Sequence, residues 1–238
     1  MKAILFDLGH TLIDYYVDWE TPENRSIKRF YEAVMDAGAD ADEAEFTRFV
    51  KGLLDEGRKK KRTDMMEVPL ATVLTVVLER YEMEEDNQLV VEGCDIFYGS
   101  LAEEKVLAPG TIEMLQKVKG KGYKIGLVSD VAWGLPSDYP LQDLEQFGLD
   151  PYFDDLVFST EVGLRKPHPK MFKLSLYNLG AKPEEAFFIG NSLRCDIKGA
   201  NAVGIRSILK ESNNPDNEDG VVPKYRISDW DELDQYLD

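Results

Sequence analysis

Apolar positions in the first half of the chain recur at the spacing of an α-helix. The pattern predicts two amphipathic helices, whose apolar positions are Ile27, Phe30, Tyr31 and Val34, then Phe46, Phe49, Val50, Leu53 and Leu54. Thr21-Pro22 is typical of a helix start, and Gly38 of a helix end. Two more helices are predicted over residues 70–81 and 87–100. No convincing strand separates these four helices, so we expect them to form a helical bundle of their own.

The remainder of the chain alternates short apolar runs with helical stretches, which implies right-handed crossovers and a parallel sheet. We therefore predict an α/β fold, with a doubly wound, Rossmann-like parallel sheet at residues 1–13 and 105–238 and an all-helical domain inserted at residues 14–104. The polar, turn-rich residues 211–220 are predicted to form a surface loop. The predicted strands cover residues 3–6, 124–128, 156–159, 186–189, 206–209 and, at the edge, 225–228; the helices cover residues 111–119, 141–146, 169–178, 194–203 and 230–237.

The chain is strongly acidic. Of its 238 residues, 45 are Asp or Glu and 28 are Lys or Arg, which gives a formal net charge of −17. Nucleic acid is therefore not an expected partner, because phosphate backbones need clustered cations. The one basic run, residues 58–62, is predicted to be a solvated helix end, where cations complement the helix dipole.

Cysteine usage and hydropathy indicate the compartment. Cys94 and Cys195 are far apart and offer neither a metal cluster nor a disulfide framework, which favours a reducing environment. No apolar run approaches the length that spans a membrane. We expect a cytoplasmic protein with no membrane anchor, and its oligomeric state, monomer or homodimer, stays open.

Residues suited to chemistry follow three of the predicted strands. Asp7 follows the first strand, Ser129-Asp130 close the second, and Gly190-Asn191-Ser192 end a later one. Lys166 lies in the sequence Gly-Leu-Arg-Lys-Pro, and Asp196 lies five residues after Asn191. Parallel strands bring their carboxyl ends to one edge of the sheet, where open α/β folds place their ligands.

This order of four motifs over nearly the whole chain resembles the haloacid dehalogenase superfamily, most of whose members are Mg²⁺-dependent phosphatases. The resemblance implies that Asp7 is a nucleophile that forms an aspartyl-phosphate. Ser129 and Lys166 would hold the transferred phosphoryl group, and Lys166 would also keep Asp7 ionised. The helical insert resembles a type C1 cap, which closes over the active site and supplies substrate selectivity.

The resemblance also implies a Mg²⁺ site, whose oxygen ligands would be the carboxylates of Asp7 and Asp196 and the main-chain carbonyl of Gly9. Asn191 stands where the family usually has an aspartate, and it can offer an uncharged carbonyl oxygen to the metal or to a water on it.

A second departure from the family pattern lies at Gly9, where the family usually has the aspartate that protonates the leaving group and activates water. Its absence removes the obvious general acid. His10 is a candidate replacement because imidazole titrates near neutrality, or it packs beneath the cap. Asp130 either contacts the substrate or caps a turn, and His168 is interpreted as a turn residue.

The leading hypothesis is hydrolysis of a small phosphorylated metabolite. Two alternatives stay open at the level of the sequence: a metal-independent haloacid dehalogenase and a catalytically weakened phospho-ligand-binding protein. The substrate itself cannot be read. Substrate selectivity would lie in the insert, where the candidate residues that face the core are Tyr15, Tyr16, Trp19 and Arg25.

Overall fold

The computed structural model describes residues 2–15, 18–83 and 87–237. Six parallel strands form the central sheet, in the order β5-β4-β1-β6-β7-β8. This confirms the predicted parallel α/β fold, including the edge strand near the carboxyl terminus. The strands are β1 Ala3–Phe6, β4 Lys124–Ser129, β5 Asp155–Phe158, β6 Ala186–Gly190, β7 Arg206–Lys210 and β8 Tyr225–Ile227.

The strand β1 lies at the centre of this sheet, paired on one side with β4 and on the other with β6. All four of its residues are buried, as expected for a parallel strand covered on both faces. The covering helices are α5 Thr111–Gly120, α6 Asp138–Gln146, α7 Ser159–Val162, α8 Pro169–Leu179 and α9 Lys198–Val203, with short turns of 3₁₀ helix between them. A 3₁₀ helix at Trp230–Tyr236 stands where an α-helix was predicted.

Among the described residues between β1 and β4 there are four helices, which we call the helical segment: α1 Glu20–Asp36, α2 Glu43–Asp64, α3 Leu70–Arg80 and α4 Asn87–Ala102. The chain enters and leaves this segment through two short strands, β2 Ile13–Asp14 and β3 Val106–Leu107, which pair antiparallel. Both crossings therefore pass through one small ribbon next to the end of β1. No described helix is long and apolar enough to cross a membrane.

The helical segment packs through large buried side chains and through the close approach of α4 to α1 and α3. Phe30, Phe46 and Phe97 are fully buried in it. Gly93 on α4 faces α1 and α3, where an added Cβ would lie 2.6 Å from Leu74 Cδ1 and 2.8 Å from Phe30 Cε2. Glycine is therefore what allows α4 to approach its neighbours so closely.

Gly93→Val should destabilise the protein by about 1–3 kcal/mol, because the added carbons overpack this junction. Gly99→Val is the matched control on the same helix, since an added Cβ there meets nothing within 4 Å. Urea unfolding at equilibrium measures both changes. Equal stability of the two variants would contradict the close packing at Gly93.

Candidate active site

The residues singled out in the sequence meet at the carboxyl edge of the sheet. Asp7 follows β1, Ser129 ends β4, and Asn191 follows β6, so the three come from adjacent strands. Lys166 reaches them from the loop after α7, and Asp196 from the turn after β6. All five line one cavity, and Asp7, Ser129, Lys166 and Asp196 are buried.

Lys166 is the centre of this cluster. Its Nζ lies 2.5 Å from Asp7 Oδ1 and 2.8 Å from Asp196 Oδ1, and it also donates to the Val128 carbonyl at 2.9 Å. The other oxygen of the nucleophile candidate is held as well, because Thr11 Oγ1 donates to Asp7 Oδ2 at 2.9 Å. The Asp7 carboxylate is thus fixed in orientation before any ligand binds.

Two carboxylates share one ammonium in a site with little access to water. Desolvation lowers the pKa of Lys166, but the charges of Asp196 and Asp7 outweigh it, so that pKa is raised and the lysine stays protonated. Burial raises the pKa of Asp196 above its usual range; Lys166 opposes this shift and the negative charge of Asp7 adds to it. The cluster therefore has an excess of negative charge that a cation would neutralise.

Asp196 lies in a π-helical turn, Leu193–Ile197, that begins three residues after the end of β6. Its Oδ2 accepts a hydrogen bond from the Ser192 backbone N–H at 3.0 Å. An added Cβ at Gly190 would overlap the Asp196 carboxyl group. Gly190 is therefore needed for the carboxylate to fold back against the end of β6, a structural reason for the glycine in this motif.

Residues 211–220 do more than the surface loop predicted from their composition, because they hold the turn that carries Asn191. Asp216 accepts hydrogen bonds from Ser192 Oγ at 2.6 Å and from the Leu193 N–H at 2.5 Å. Asn191 Nδ2 donates to Ser212 Oγ at 3.2 Å and to the Asn214 carbonyl at 3.3 Å.

These two acceptors fix the orientation of the Asn191 amide. Because its Nδ2 faces the loop, its Oδ1 faces the nucleophile side, where it accepts from Thr11 Oγ1 at 3.5 Å. The amide oxygen is thus turned toward the cluster of carboxylates. Sequence reasoning missed this loop because its contacts depend on tertiary folding.

Gly9 and His10 form the turn after Asp7. Gly9 is not required sterically, since an added Cβ would lie 3.8 Å from the Tyr15 ring, an ordinary contact. His10 adopts a left-handed backbone conformation, with φ of 58°. Its ring lines the cavity and is buried, and neither ring nitrogen has a hydrogen-bond partner among the described residues. Desolvation by burial lowers the pKa of His10, although Asp14 and Asp7 oppose it, so the imidazole is neutral at pH 7.

The cavity above this cluster has a volume of about 430 Å³ and extends from Asp7 to the helical segment. Tyr15 and Trp19 line it, as expected of residues facing the core, whereas Arg25 pairs with Glu103 and Tyr16 lies outside the described residues. Sequence reasoning did not place Glu23, Arg58, Lys61 or Trp133 at the cavity, which all four line.

The basic run was predicted to be solvated, but two of its members turn inward. Arg58 pairs with Glu23, and Lys61 Nζ lies 2.9 Å from Glu67 Oε1. The run lies near the carboxyl end of α2, where Arg58 and Lys61, three residues apart, share the face that lines the cavity. Charge pattern alone could not show which cations have carboxylate partners.

Glu67 joins the helical segment to the loop that carries Lys166. Its carboxylate accepts from Arg165 Nη1 at 2.6 Å and from Ser159 Oγ at 2.5 Å. The backbones also pair there, with Glu67 N–H donating to Gly163 and Arg165 N–H to Met65. Asp130, a weak candidate from the sequence, accepts from the Lys166 N–H at 2.9 Å and so fixes the same loop.

Oxygen donors suited to a hard divalent cation converge at the edge. Asp196 Oδ1 has no hydrogen-bond partner besides the ion pair with Lys166 in the described part of the chain. Within that part, no three His, Cys, Asp or Glu side chains cluster closely enough to hold a metal by themselves. A metal here would rely on two carboxylates completed by uncharged oxygens, a donor set that fits Mg²⁺ with retained waters.

Comparison with known proteins agrees with the geometry. The chain matches the family model for haloacid dehalogenase-like hydrolases over residues 1–204. A glyceraldehyde 3-phosphate phosphatase of Methanocaldococcus jannaschii is 29% identical over 237 residues, 98% of this chain and 95% of that protein. A ribulose-1,5-bisphosphate 5-phosphatase of Halopiger xanaduensis is 29% identical over 212 residues, 87% of this chain and 83% of that protein.

A solved structure of a 2-haloacid dehalogenase from Pseudomonas syringae pv. Tomato has a TM-score of 0.73 at 22% identity and covers 100% of this chain and 98% of its own; it shows the shared fold. The chain belongs to the haloacid dehalogenase-like hydrolase family. It is therefore a hydrolase, and the resemblance based on the four motifs is confirmed.

Glu67→Gln should destabilise the protein by about 3 kcal/mol at pH 7, because it leaves Arg165 and Lys61 without their buried counter-charge. Burial raises the pKa of Glu67, but Arg165 and Lys61 outweigh it, so the folded-state pKa lies below the ordinary 4.5. The stabilisation is therefore complete above about pH 4.5 and is lost as the pH falls through the folded-state pKa.

Urea unfolding at several pH values measures this difference between wild type and variant. The matched control is Glu161→Gln, because Glu161 is exposed and accepts only from Ser137 Oγ in the described chain. A Glu67→Gln variant as stable at pH 7 as the control would show that the pairing contributes nothing to folding.

Proposed function

We propose that the protein is a Mg²⁺-dependent hydrolase of small phosphate monoesters that works through an aspartyl-phosphate at Asp7. The observation that carries the proposal is the shared contact of Lys166 with Asp7 and Asp196 at the floor of the cavity. The phosphatase names of the relatives support the same class of substrate, a small phosphorylated metabolite.

The order of events follows from where each group stands. Asp7 attacks the phosphorus atom in line with the departing alkoxide, which requires an ionised and oriented carboxylate. Lys166 keeps it ionised and offers positive charge to the equatorial phosphoryl oxygens, while the Ser129 hydroxyl donates a hydrogen bond to them. Water then attacks the phosphorus of the aspartyl-phosphate, which releases inorganic phosphate and restores Asp7.

The metal would be held by Asp7, Asp196, the Gly9 carbonyl and Asn191 Oδ1. When bound, it supplies charge neutralisation at the phosphoryl oxygens. The excess negative charge of the Asp7, Asp196 and Lys166 cluster supports this site, as does the amide orientation imposed on Asn191 by residues 212 and 214.

No carboxylate stands at position 9 to protonate the leaving group. His10 supports a partial replacement, because its neutral ring lines the cavity, with Nδ1 3.7 Å from Asp14 Oδ1 and no hydrogen bond among the described residues. We assign it the acid/base role. A neutral imidazole suits the second step, in which it accepts a proton from the attacking water.

The helical segment acts as a cap over this site, and the chain divides into a core of residues 1–13 and 105–238 and a cap of residues 14–104. The ribbon formed by β2 and β3 supports a hinge at this division, since both crossings lie in it. A cap excludes water from an intermediate that water destroys.

A metal-free dehalogenase would need a cation to bind the carboxylate of its substrate. Arg58, Lys61 and Arg165 line the cavity, and each is paired with a carboxylate of the protein. This pairing favours phosphate ester hydrolysis over attack on a haloacid.

Asp7→Asn should abolish turnover of p-nitrophenyl phosphate while the protein stays folded, because an amide has the same shape but is a poor nucleophile. Release of p-nitrophenol and the circular dichroism spectrum measure the two effects. Asp155→Asn, at the amino end of β5, is the control that should keep full activity. Retention of more than a few per cent of the wild-type rate in Asp7→Asn would exclude Asp7 as the nucleophile.

Activity should require Mg²⁺ and vanish in excess EDTA. Asn191→Asp should bind the ion more tightly, because it adds a formal charge to a site with two carboxylates. The same change removes the donor to the Asn214 carbonyl and should lower the melting temperature without metal. Calorimetric titration with Mg²⁺ and thermal melting measure both. Full activity in EDTA would contradict the metal site, as would weaker Mg²⁺ binding by Asn191→Asp.

Because no acid at position 9 protonates the leaving group, the hydrolysis rate should rise steeply with the acidity of the leaving alcohol. The protein should therefore hydrolyse p-nitrophenyl phosphate far faster than alkyl and sugar phosphates. A burst of p-nitrophenol should precede the steady state, because the water-activating base is weak. Gly9→Asp should raise the alkyl rate by about 10²- to 10⁴-fold, the usual contribution of a general acid, since the backbone leaves room for it.

His10→Ala is the companion variant, expected to slow the second step. Equal rates on alkyl and aryl esters without a burst would mean that another group supplies the proton. An unchanged rate in His10→Ala would remove the histidine from the mechanism.

A further inference from the structure

The far end of the cavity, beyond the phosphoryl site, is built mainly from apolar and aromatic side chains. Leu54 and Val73 come from the helical segment, and Leu135 comes from the loop between β4 and α6. Five aromatic rings line the cavity as a whole, those of Tyr15, Trp19, Tyr98, Trp133 and Tyr139. Sites with this composition bind apolar parts of ligands, with the polar groups fixing orientation.

Trp133 occupies an unusual position in this wall. Its backbone has φ of 50° and ψ of 0°, a left-handed conformation that is rare for a bulky residue. An added Cβ on the next residue, Gly134, would overlap the Val68 carbonyl. The loop that carries Trp133 therefore packs in close contact with the helical segment. Unfavourable backbone conformations persist where the surrounding structure imposes them, and they cluster at ligand sites.

The contacts of the Trp133 indole explain how this conformation is held. Its Nε1 donates to Glu23 Oε2 at 2.9 Å. Its ring centre lies 5.5 Å from that of Trp19 and 5.2 Å from that of Phe97, in edge-to-face geometry. The ring is thus fixed in orientation, and a bound flat group would meet a preorganised wall.

The cationic side chains of the cavity already have carboxylate partners within the protein. Arg58 pairs with Glu23 and Asp55, and Lys61 with Glu67. Arg165 pairs with Glu67, and Lys166 with Asp7 and Asp196. Among the described residues, every Lys or Arg that lines the cavity therefore has a carboxylate partner. A second anionic group on the substrate would have to break one of these pairs, which costs free energy in a desolvated site.

We propose that this cavity selects phosphate monoesters whose alcohol part is uncharged and carries an aromatic group, which lies against the Trp133 indole. The inference rests on the proposed phosphatase function and names the class of substrate for that site. It excludes bisphosphates and phosphorylated carboxylic acids as preferred substrates. Trp133 is thereby a specificity-determining residue.

Three alkyl phosphates test this selection: propyl phosphate, phenylpropyl phosphate and carboxypropyl phosphate. Their leaving groups have closely similar acidities, so the absent acid at Gly9 affects them equally. Burial of the phenyl ring should make kcat/KM for phenylpropyl phosphate about ten- to a hundredfold higher than for propyl phosphate. Carboxypropyl phosphate should be the poorest of the three, by about tenfold or more relative to propyl phosphate.

The variant Trp133→Leu keeps an apolar side chain but removes the flat ring. The ratio of kcat/KM for phenylpropyl phosphate to that for propyl phosphate should fall about tenfold in it. Tyr177→Leu is the control, since Tyr177 is an exposed aromatic residue outside the cavity, and its preference should equal that of wild type.

Phenylpropyl phosphonate and propyl phosphonate extend the test to unmodified protein, because they bind without being cleaved. The phenyl compound should inhibit p-nitrophenyl phosphate hydrolysis about tenfold more strongly. Equal turnover of the three esters would overturn this inference alone, as would a preference for the carboxylate or an unchanged preference in Trp133→Leu. No turnover of any ester, p-nitrophenyl phosphate included, would overturn the proposed function and this inference with it.

Discussion

The site depends on one buried ammonium group. Lys166 Nζ lies within 2.8 Å of both Asp7 and Asp196, which come from adjacent strands of the sheet. Without that cation two carboxylates would face each other in a desolvated space, and at least one would take up a proton. An ionised Asp7 is what the proposed chemistry needs. The lysine thus links the stability of the sheet edge to the reactivity of the nucleophile.

The position of Lys166 is in turn set by contacts between the helical segment and the loop after α7. Asp130 accepts from its backbone N–H, and the neighbouring Arg165 is held by Glu67. Backbone hydrogen bonds between residues 65–67 and 163–165 reinforce this junction. A movement of the helical segment would therefore also move the loop that carries the lysine.

Much of the fold follows from local pattern. The β1 run is apolar at every position because both its faces are covered, and the helices around Phe30 and Phe46 show clear periodicity. Asp7, Ser129 and Asn191 could be placed together because parallel strands end at one edge. These features depend on sequence neighbours and on the topology that such patterns allow.

Other features could not be predicted, because they arise only when distant segments pack. The orientation of Arg58 depends on Glu23 of α1, and the amide of Asn191 is oriented by a loop about twenty residues further on. The left-handed backbone of Trp133 gives no signal in composition, since tryptophan rarely adopts it. Each depends on a partner that a local window of sequence does not contain.

The central claim is that Asp7 becomes covalently phosphorylated during turnover. Rapid acid quenching of the reaction with p-nitrophenyl phosphate and Mg²⁺, followed by peptide mass spectrometry, tests it directly. The account predicts a phosphate group on the peptide that contains Asp7, formed during the burst and lost as substrate is exhausted. Steady release of p-nitrophenol with no phosphorylated peptide at any quench time would contradict it.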